Sequence, residues 1–198
     1  MHLIAGLGNP GKEYRFSRHN MGFLVLQNLA DRHNISLIKK KFEALYGSGD
    51  IGSGKALLLT PMTYMNRSGL AVSSFLRYFN LPLDHLIVVH DDLDLPWGRL
   101  RLAPHGGAAG HKGMLSLFEH LQSKEFIRLR LGIGRPVEKI PVEDYVLHPF
   151  SSTEKKELPT ITEQACEAIE VLLSQGLTTA MNRFNVRKTP GSNASPEE

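Results

Sequence analysis

The first twenty-two residues restrict the architecture more than anything that follows. A short apolar run, Leu3–Leu7, breaks into a turn, Gly6-Leu7-Gly8-Asn9-Pro10-Gly11. A polar cluster with Arg18, His19 and Asn20 comes next, and an apolar, helix-like stretch resumes from Phe23 to Ala30. Strand, turn and helix in that order open an α/β sheet. They put Asn9 and His19 near the end of a strand, where such folds build their sites. Histidine is the side chain most easily poised for proton transfer near neutral pH.

Further strands are predicted at Ala44–Asp50, Lys55–Thr60, Leu86–His90, Gly98–Leu102 and Ile127–Ile133. Helices are predicted at Met21–His33, Ser68–Asn80, Met114–His120, Val142–Val146, Glu154–Gln175 and Thr178–Phe184. The continuous apolar run Leu86-Ile87-Val88-Val89 reads as a central strand buried on both faces. A hairpin is expected between Gly47–Asp50 and Ile51–Lys55, which makes the sheet mixed. The expectation is therefore a single α/β domain: a twisted, mixed but mostly parallel sheet flanked by helices on both faces. It spans residues 1–187, and a Pro-, Gly- and Ser-rich tail, 188–198, reads as disordered.

At 198 residues the chain is long enough for one real core. Its net charge of +3 permits a nucleic-acid partner without demanding one. Cys166 stands alone, so no internal disulfide can form. Its helical setting reads as a buried, inert thiol. No run approaches the roughly 20 apolar residues a bilayer span needs. Nor does the N-terminus read as a signal peptide, and the expected location is the cytoplasm.

Four loops carry the candidate chemistry. The first, Gly6 to Gly11, matches a dinucleotide fingerprint literally, but Lys12 to His19 separate its glycines from the helix they should open. The second, Pro61 to Gly69, includes Tyr64, Met65 and Asn66. Asn66 suits a helix cap or a site amide, and Met65 suits the core or a site wall. The third, His90-Asp91-Asp92-Leu93-Asp94, follows the buried strand. Asp91 there can hold a histidine in its useful tautomer, while His90, facing the other way, reads as structural. A Mg²⁺ site is disfavoured by the intervening Leu93 and Leu95 and by the lack of a phosphate loop. The fourth, His105 to Gly113, is a small-residue loop that opens a helix and suits a lid or an anion cradle.

Taken together and in this order, these stretches resemble the bacterial peptidyl-tRNA hydrolase family. The shared text runs Gly-Leu-Gly-Asn-Pro-Gly-Lys-x-Tyr, Arg-His-Asn-x-Gly, Pro-x-Thr-Tyr-Met-Asn-x-Ser-Gly and His-Asp-Asp-Leu-Asp-Leu-Pro-x-Gly. It continues through Gly-Gly to Gly-His, Arg128 to Pro136 and Tyr145 to Phe150, and covers about residues 1 to 187. The resemblance implies a monomeric enzyme that cuts the ester joining a peptide to the 3′ end of tRNA, with no metal or other cofactor. It implies that His19 is the catalytic base, that Asp91 orients it, and that Asn9 and Asn66 grip the substrate near the scissile ester. Tyr14 and Tyr64 are implied contacts to the tRNA end, and Met65 is counted with them as a substrate-binding residue. Two positions depart from the family: Ser17 replaces a usual Thr, and Lys112 replaces an Asn held to bind substrate. Lysine keeps a donor, loses the acceptor and adds charge.

The chemistry fits those residues. A neutral imidazole activating water supplies roughly 10²–10⁴-fold, and one amide donor to a developing oxyanion roughly 10²–10³-fold. Arg99 with Arg101, and Arg128 with Arg130, alternate along strands and are expected to form a basic stripe for tRNA phosphates. The rival reading is a non-catalytic RNA-binding relative of the same fold. The intact Asn9, His19 and Asp91 weigh against it.

Overall fold

The computed structural model describes residues 1–52, 54–136 and 140–186; the predicted 188–198 tail lies outside them. One sheet contains β1 (His2–Gly6), β2 (Lys39–Lys41), β3 (Ala44–Ile51), β4 (Gly54–Pro61), β5 (Leu86–Asp92), β6 (Leu100–Ala103) and β7 (Ile127–Gly132). Its strand order is β2-β3-β4-β1-β5-β7-β6. The inner strands β4, β1, β5 and β7 run parallel. Antiparallel pairings add β3 and β2 beyond β4, and β6 beyond β7. The helices are α1 (Met21–Arg32), α2 (Ser68–Tyr78), α3 (Lys112–Leu121), α4 (Val142–Leu147), α5 (Ser152–Gln175) and α6 (Leu177–Phe184).

Alternation along the inner strands divides the core in two. Ile4, Leu58, Ile87 and Val89 face one way and pack with residues of α1 and α5. Leu3, Ala5, Leu57, Leu59, Leu86 and Val88 face the other way and pack with α2 and α3. Both faces are covered, so the apolar runs are continuous rather than alternating. No helix among the described residues is long and apolar enough to cross a membrane.

β2 was not foreseen. Three consecutive lysines carry no strand pattern; they become a strand by pairing with Ala44–Tyr46. The connecting residues, Phe42 and Glu43, both have positive φ, 47° and 54°. That is the backbone of a tight hairpin built without the usual Asn or Gly. Lysines on an edge strand also discourage pairing with other chains. At the opposite edge, the Asn185 amide accepts from Leu102 N at 2.7 Å and donates to Leu102 O at 2.9 Å, occupying part of β6's open side.

One close approach sets the position of His19. A Cβ on Gly22, in the first turn of α1, would lie 2.3 Å from Leu7 N and 2.4 Å from Val89 O. The helix therefore presses its backbone directly onto the ends of β1 and β5. Gly22→Ala is expected to cost about 1–3 kcal/mol, because backbone rather than a flexible side chain must yield. Urea unfolding of the variant measures that loss, and activity should fall further than stability because His19 shifts with the helix.

Candidate active site

The carboxyl ends of β1, β4 and β5, together with the loops that follow them, enclose a cleft of about 680 Å³. Asn9, His19, Tyr64, Met65, Asn66, Asp91 and Lys112 all line it. Residues up to 103 positions apart thus meet in one place, from Asn9 to Lys112. Tyr14 and Arg130 are not in the cleft lining.

Asp91, one residue before the end of β5, has its side chain 2% exposed, and two imidazoles converge on it. His19 Nδ1 lies 2.9 and 3.0 Å from its two oxygens, and His111 Nε2 lies 2.9 Å from Oδ1. Hydrogen bonding fixes the tautomers. His111 caps α3 by accepting at Nδ1 from the N–H groups of Gly113, 3.1 Å, and Met114, 3.3 Å. Its proton is therefore on Nε2, which donates to Asp91. Asp91 has only acceptors, so His19 donates from Nδ1 and keeps its Nε2 lone pair for chemistry. Burial by itself raises the Asp91 pKa, but His19 and His111 overcome it and hold the carboxyl well below the usual range.

His19, Asp91 and His111 offer ligand atoms within 4.8 Å of one another, which is close enough for a metal ion. The proton accounting argues against that use. A cation would need the lone pair on His111 Nε2, moving its proton to Nδ1, where two backbone N–H groups already donate. As arranged, the cluster is a hydrogen-bond network.

Asn9 is held from both sides. Its Oδ1 accepts from Met65 N at 2.7 Å. Its backbone pairs with the Asn20 amide, Asn9 N donating to Oδ1 at 2.8 Å and Asn20 Nδ2 donating to Asn9 O at 3.0 Å. The acceptor of Asn9 is therefore spent, and its NH₂ is the half left for a ligand. An asparagine amide carries both donors and an acceptor, but Asn9 here presents donors only. Asn66 is exposed at the cleft and caps no helix: the residue before α2 is Arg67, with no side-chain cap. Its whole amide is available.

The expected basic stripe is not present as drawn. Arg128 is 2% exposed, and its Nη1 donates to Gly107 O at 2.8 Å, so it props the glycine-rich loop from beneath. Arg130 Nε donates to Asp92 Oδ2 at 2.5 Å. Arg99 donates to Asn185 O at 2.6 Å. Arg101, exposed and opposite Arg130 in register, keeps that face basic. The alternation was right, but local carboxylates and carbonyls claimed three of the four guanidinium groups.

Several contributors were not singled out from the sequence. Asn20 clamps the Asn9 backbone, and His111 donates to Asp91. Arg18 fastens the His19 turn to the far side of the cleft: it binds Glu154 at 2.7 Å, donates to Pro149 O at 3.1 Å and stacks 4.3 Å from the Tyr145 ring. α4 supplies an apolar wall through Val142, Val146 and Leu147. Asn20 sits in the same motif as His19, but its partner lies 11 residues back, where no local signal points.

His90 faces away from Asp91 along β5, as alternation requires, and is 3% exposed. Its Nδ1 donates to Asp91 O at 2.7 Å and its ring meets His111 edge-on. Burial and the neighbouring His111 push its pKa down to about 3, against 6.5 when free. The unfolded chain therefore takes up a proton below pH 6.5 that the folded chain refuses, and stability falls as pH drops from 6.5 toward 3. Asp91 adds to the loss below its free value of 3.8. Thermal melts should show the wild type losing stability through that window and His90→Asn giving a flatter profile.

Comparison with known proteins adds an independent line. A family model described as Peptidyl-tRNA hydrolase matches residues 3–192. A peptidyl-tRNA hydrolase of Carboxydothermus hydrogenoformans is 50% identical over 185 residues, covering 93% of this chain and 98% of the relative. One from Bacillus subtilis is 46% identical over 187 residues, covering 94% of this chain and 100% of the relative. The crystal structure of peptidyl-tRNA hydrolase from Acinetobacter baumannii superposes with a TM-score of 0.88 at 38% identity, covering 94% of this chain and 95% of that one.

Proposed function

The chain belongs to the peptidyl-tRNA hydrolase family and hydrolyses peptidyl-tRNA, and from that premise we propose how its own residues carry the reaction. His19 Nε2 takes a proton from water, and the resulting hydroxide attacks the ester carbonyl carbon. The Asn9 NH₂ donates to the oxyanion that forms. The tetrahedral intermediate then collapses, breaking the bond to the 3′ oxygen of the terminal ribose, which leaves with the proton His19 collected. Asp91 keeps the His19 proton on Nδ1 throughout and stabilises the imidazolium between the two transfers.

The observation that carries this reading is the paired fixing of tautomer and amide. His19 Nδ1 donates to Asp91 at 2.9 Å, and Asn9 Oδ1 accepts from Met65 N at 2.7 Å. Base and donor are thereby aimed before substrate arrives, and preorganisation is what makes such donors effective. Asn66 grips the substrate near the scissile ester with its unspent amide, while Tyr64 contacts the tRNA end and Met65 the substrate. Outside the cleft, Tyr14 serves the tRNA, as does Arg130 through the guanidinium nitrogens that Asp92 does not engage. We further propose that the enzyme acts in the cytoplasm with one catalytic domain over residues 1–187, and as a monomer, a reading supported by one chain lining the cleft with Asn9, His19, Asn66 and Asp91. Non-catalytic RNA binding gives no reason to hold a base and an oxyanion donor in this register.

Release of an N-blocked amino acid from tRNA tests the mechanism. Wild type should cleave the blocked ester. His19→Ala should lose about 10²–10⁴-fold in kcat while remaining folded, with a lowered melting temperature because Asp91 loses one of its two donors. Asn9→Asp keeps the acceptor for Met65 N but replaces the donor with negative charge, and should lose about 10²–10³-fold in kcat. Robust turnover by His19→Ala would overturn the assignment of the base.

A further inference from the structure

Lys112 has an informative partner on another helix. It begins α3, immediately after His111, and its Nζ lies 2.7 Å from Glu143 Oε1 on α4. Both residues line the cleft, so the ion pair bridges its two walls. No other hydrogen bond or ion pair among the described residues joins α4 to α3. The rest of α4 is anchored elsewhere: Tyr145 Oη donates to Ile133 O at 2.8 Å, and Arg18 stacks on the same ring.

The pair is easily broken. The side chains are 56% and 72% exposed, a setting in which an ion pair contributes little stability. Arg135, the other cation of the cleft lining, is held more firmly, with Nε and Nη2 both on Asp94 Oδ1 at 3.2 and 2.6 Å. A polyanionic substrate entering the cleft repels Glu143 and attracts Lys112. The N–H groups of Gly113 and Met114 are already taken by His111, so an anion at this end of α3 finds the ammonium rather than the helix backbone.

We propose that Lys112 is a ligand for a phosphodiester of the substrate's RNA end, held over the cleft by Glu143 until that phosphate displaces the carboxylate. The inference rests on the cleft being the ester-cleaving site. It adds a specificity determinant: a charge that favours tRNA esters over esters lacking phosphate.

The test compares an N-blocked aminoacyl-tRNA with the same N-blocked amino acid esterified to adenosine, which has no phosphate, across a salt series. Lys112→Met should lower kcat/KM on the tRNA ester about tenfold at low salt, mainly through KM, with a clearly smaller loss on the adenosine ester. Its salt dependence should become shallower by about 0.7–1 in log–log slope. Glu143→Gln should raise kcat/KM on the tRNA ester, since it frees the ammonium. The charge-swapped double variant, Lys112→Glu with Glu143→Lys, should stay as poor as Lys112→Met or worse. Recovery of wild-type kinetics by the swap would show that the pair is only a strap between helices and would overturn the proposal. So would equal losses on both esters in Lys112→Met. Loss of cleavage of both esters in His19→Ala is read separately, and its failure would strike the catalytic reading instead.

Discussion

A single buried carboxylate organises this molecule's chemistry. Asp91 accepts N–H groups from two imidazoles that come from opposite sides of the sheet, one before α1 and one capping α3. Taking a carboxylate out of water is costly unless its lone pairs are satisfied, and these two donors satisfy it. In doing so it dictates which nitrogen of His19 is free. The same contact ties the position of α3, through its His111 cap, to the orientation of His19. Helix placement and proton placement are therefore one constraint.

Around that centre, the protein spends hydrogen-bonding groups so that only useful ones remain. Asn9 loses its acceptor to Met65 N and its backbone to Asn20, and is left with donors. Most arginines near the cleft are committed to carboxylates or carbonyls, which stiffens the loops while reducing the free positive charge. Lys112 stands apart because its only partner among the described residues is an exposed glutamate on another helix. A fixed centre with an exchangeable rim suits an enzyme that must align an ester rigidly yet release a large polyanion.

The legibility of the chain follows the range of the forces involved. The strands and helices that bury continuous or striped apolar residues could be read because burial imposes a period on neighbouring positions. β2 could not, because Lys39–Lys41 is extended only by virtue of its partner strand. Alternation correctly separated His90 from Asp91 and grouped Arg128 with Arg130. It carried no information on what each guanidinium would meet, and Arg128 proved to be a buried prop. Asn20 stood next to His19 in plain view, yet nothing local indicated that its amide would clamp Asn9.

What the sequence determined by itself is the inner strands, the two-sided core, and Asn9, His19, Asn66 and Asp91 as candidates that share one cleft, through local periodicity and through an ordered set of motifs. Tertiary structure alone decided the protonation pattern of the histidines, the orientation of the Asn9 amide and the pairing of Lys112 with Glu143. Those depend on atoms brought together from distant positions. A hydrogen bond is specified by distance and angle, and one-dimensional order encodes neither.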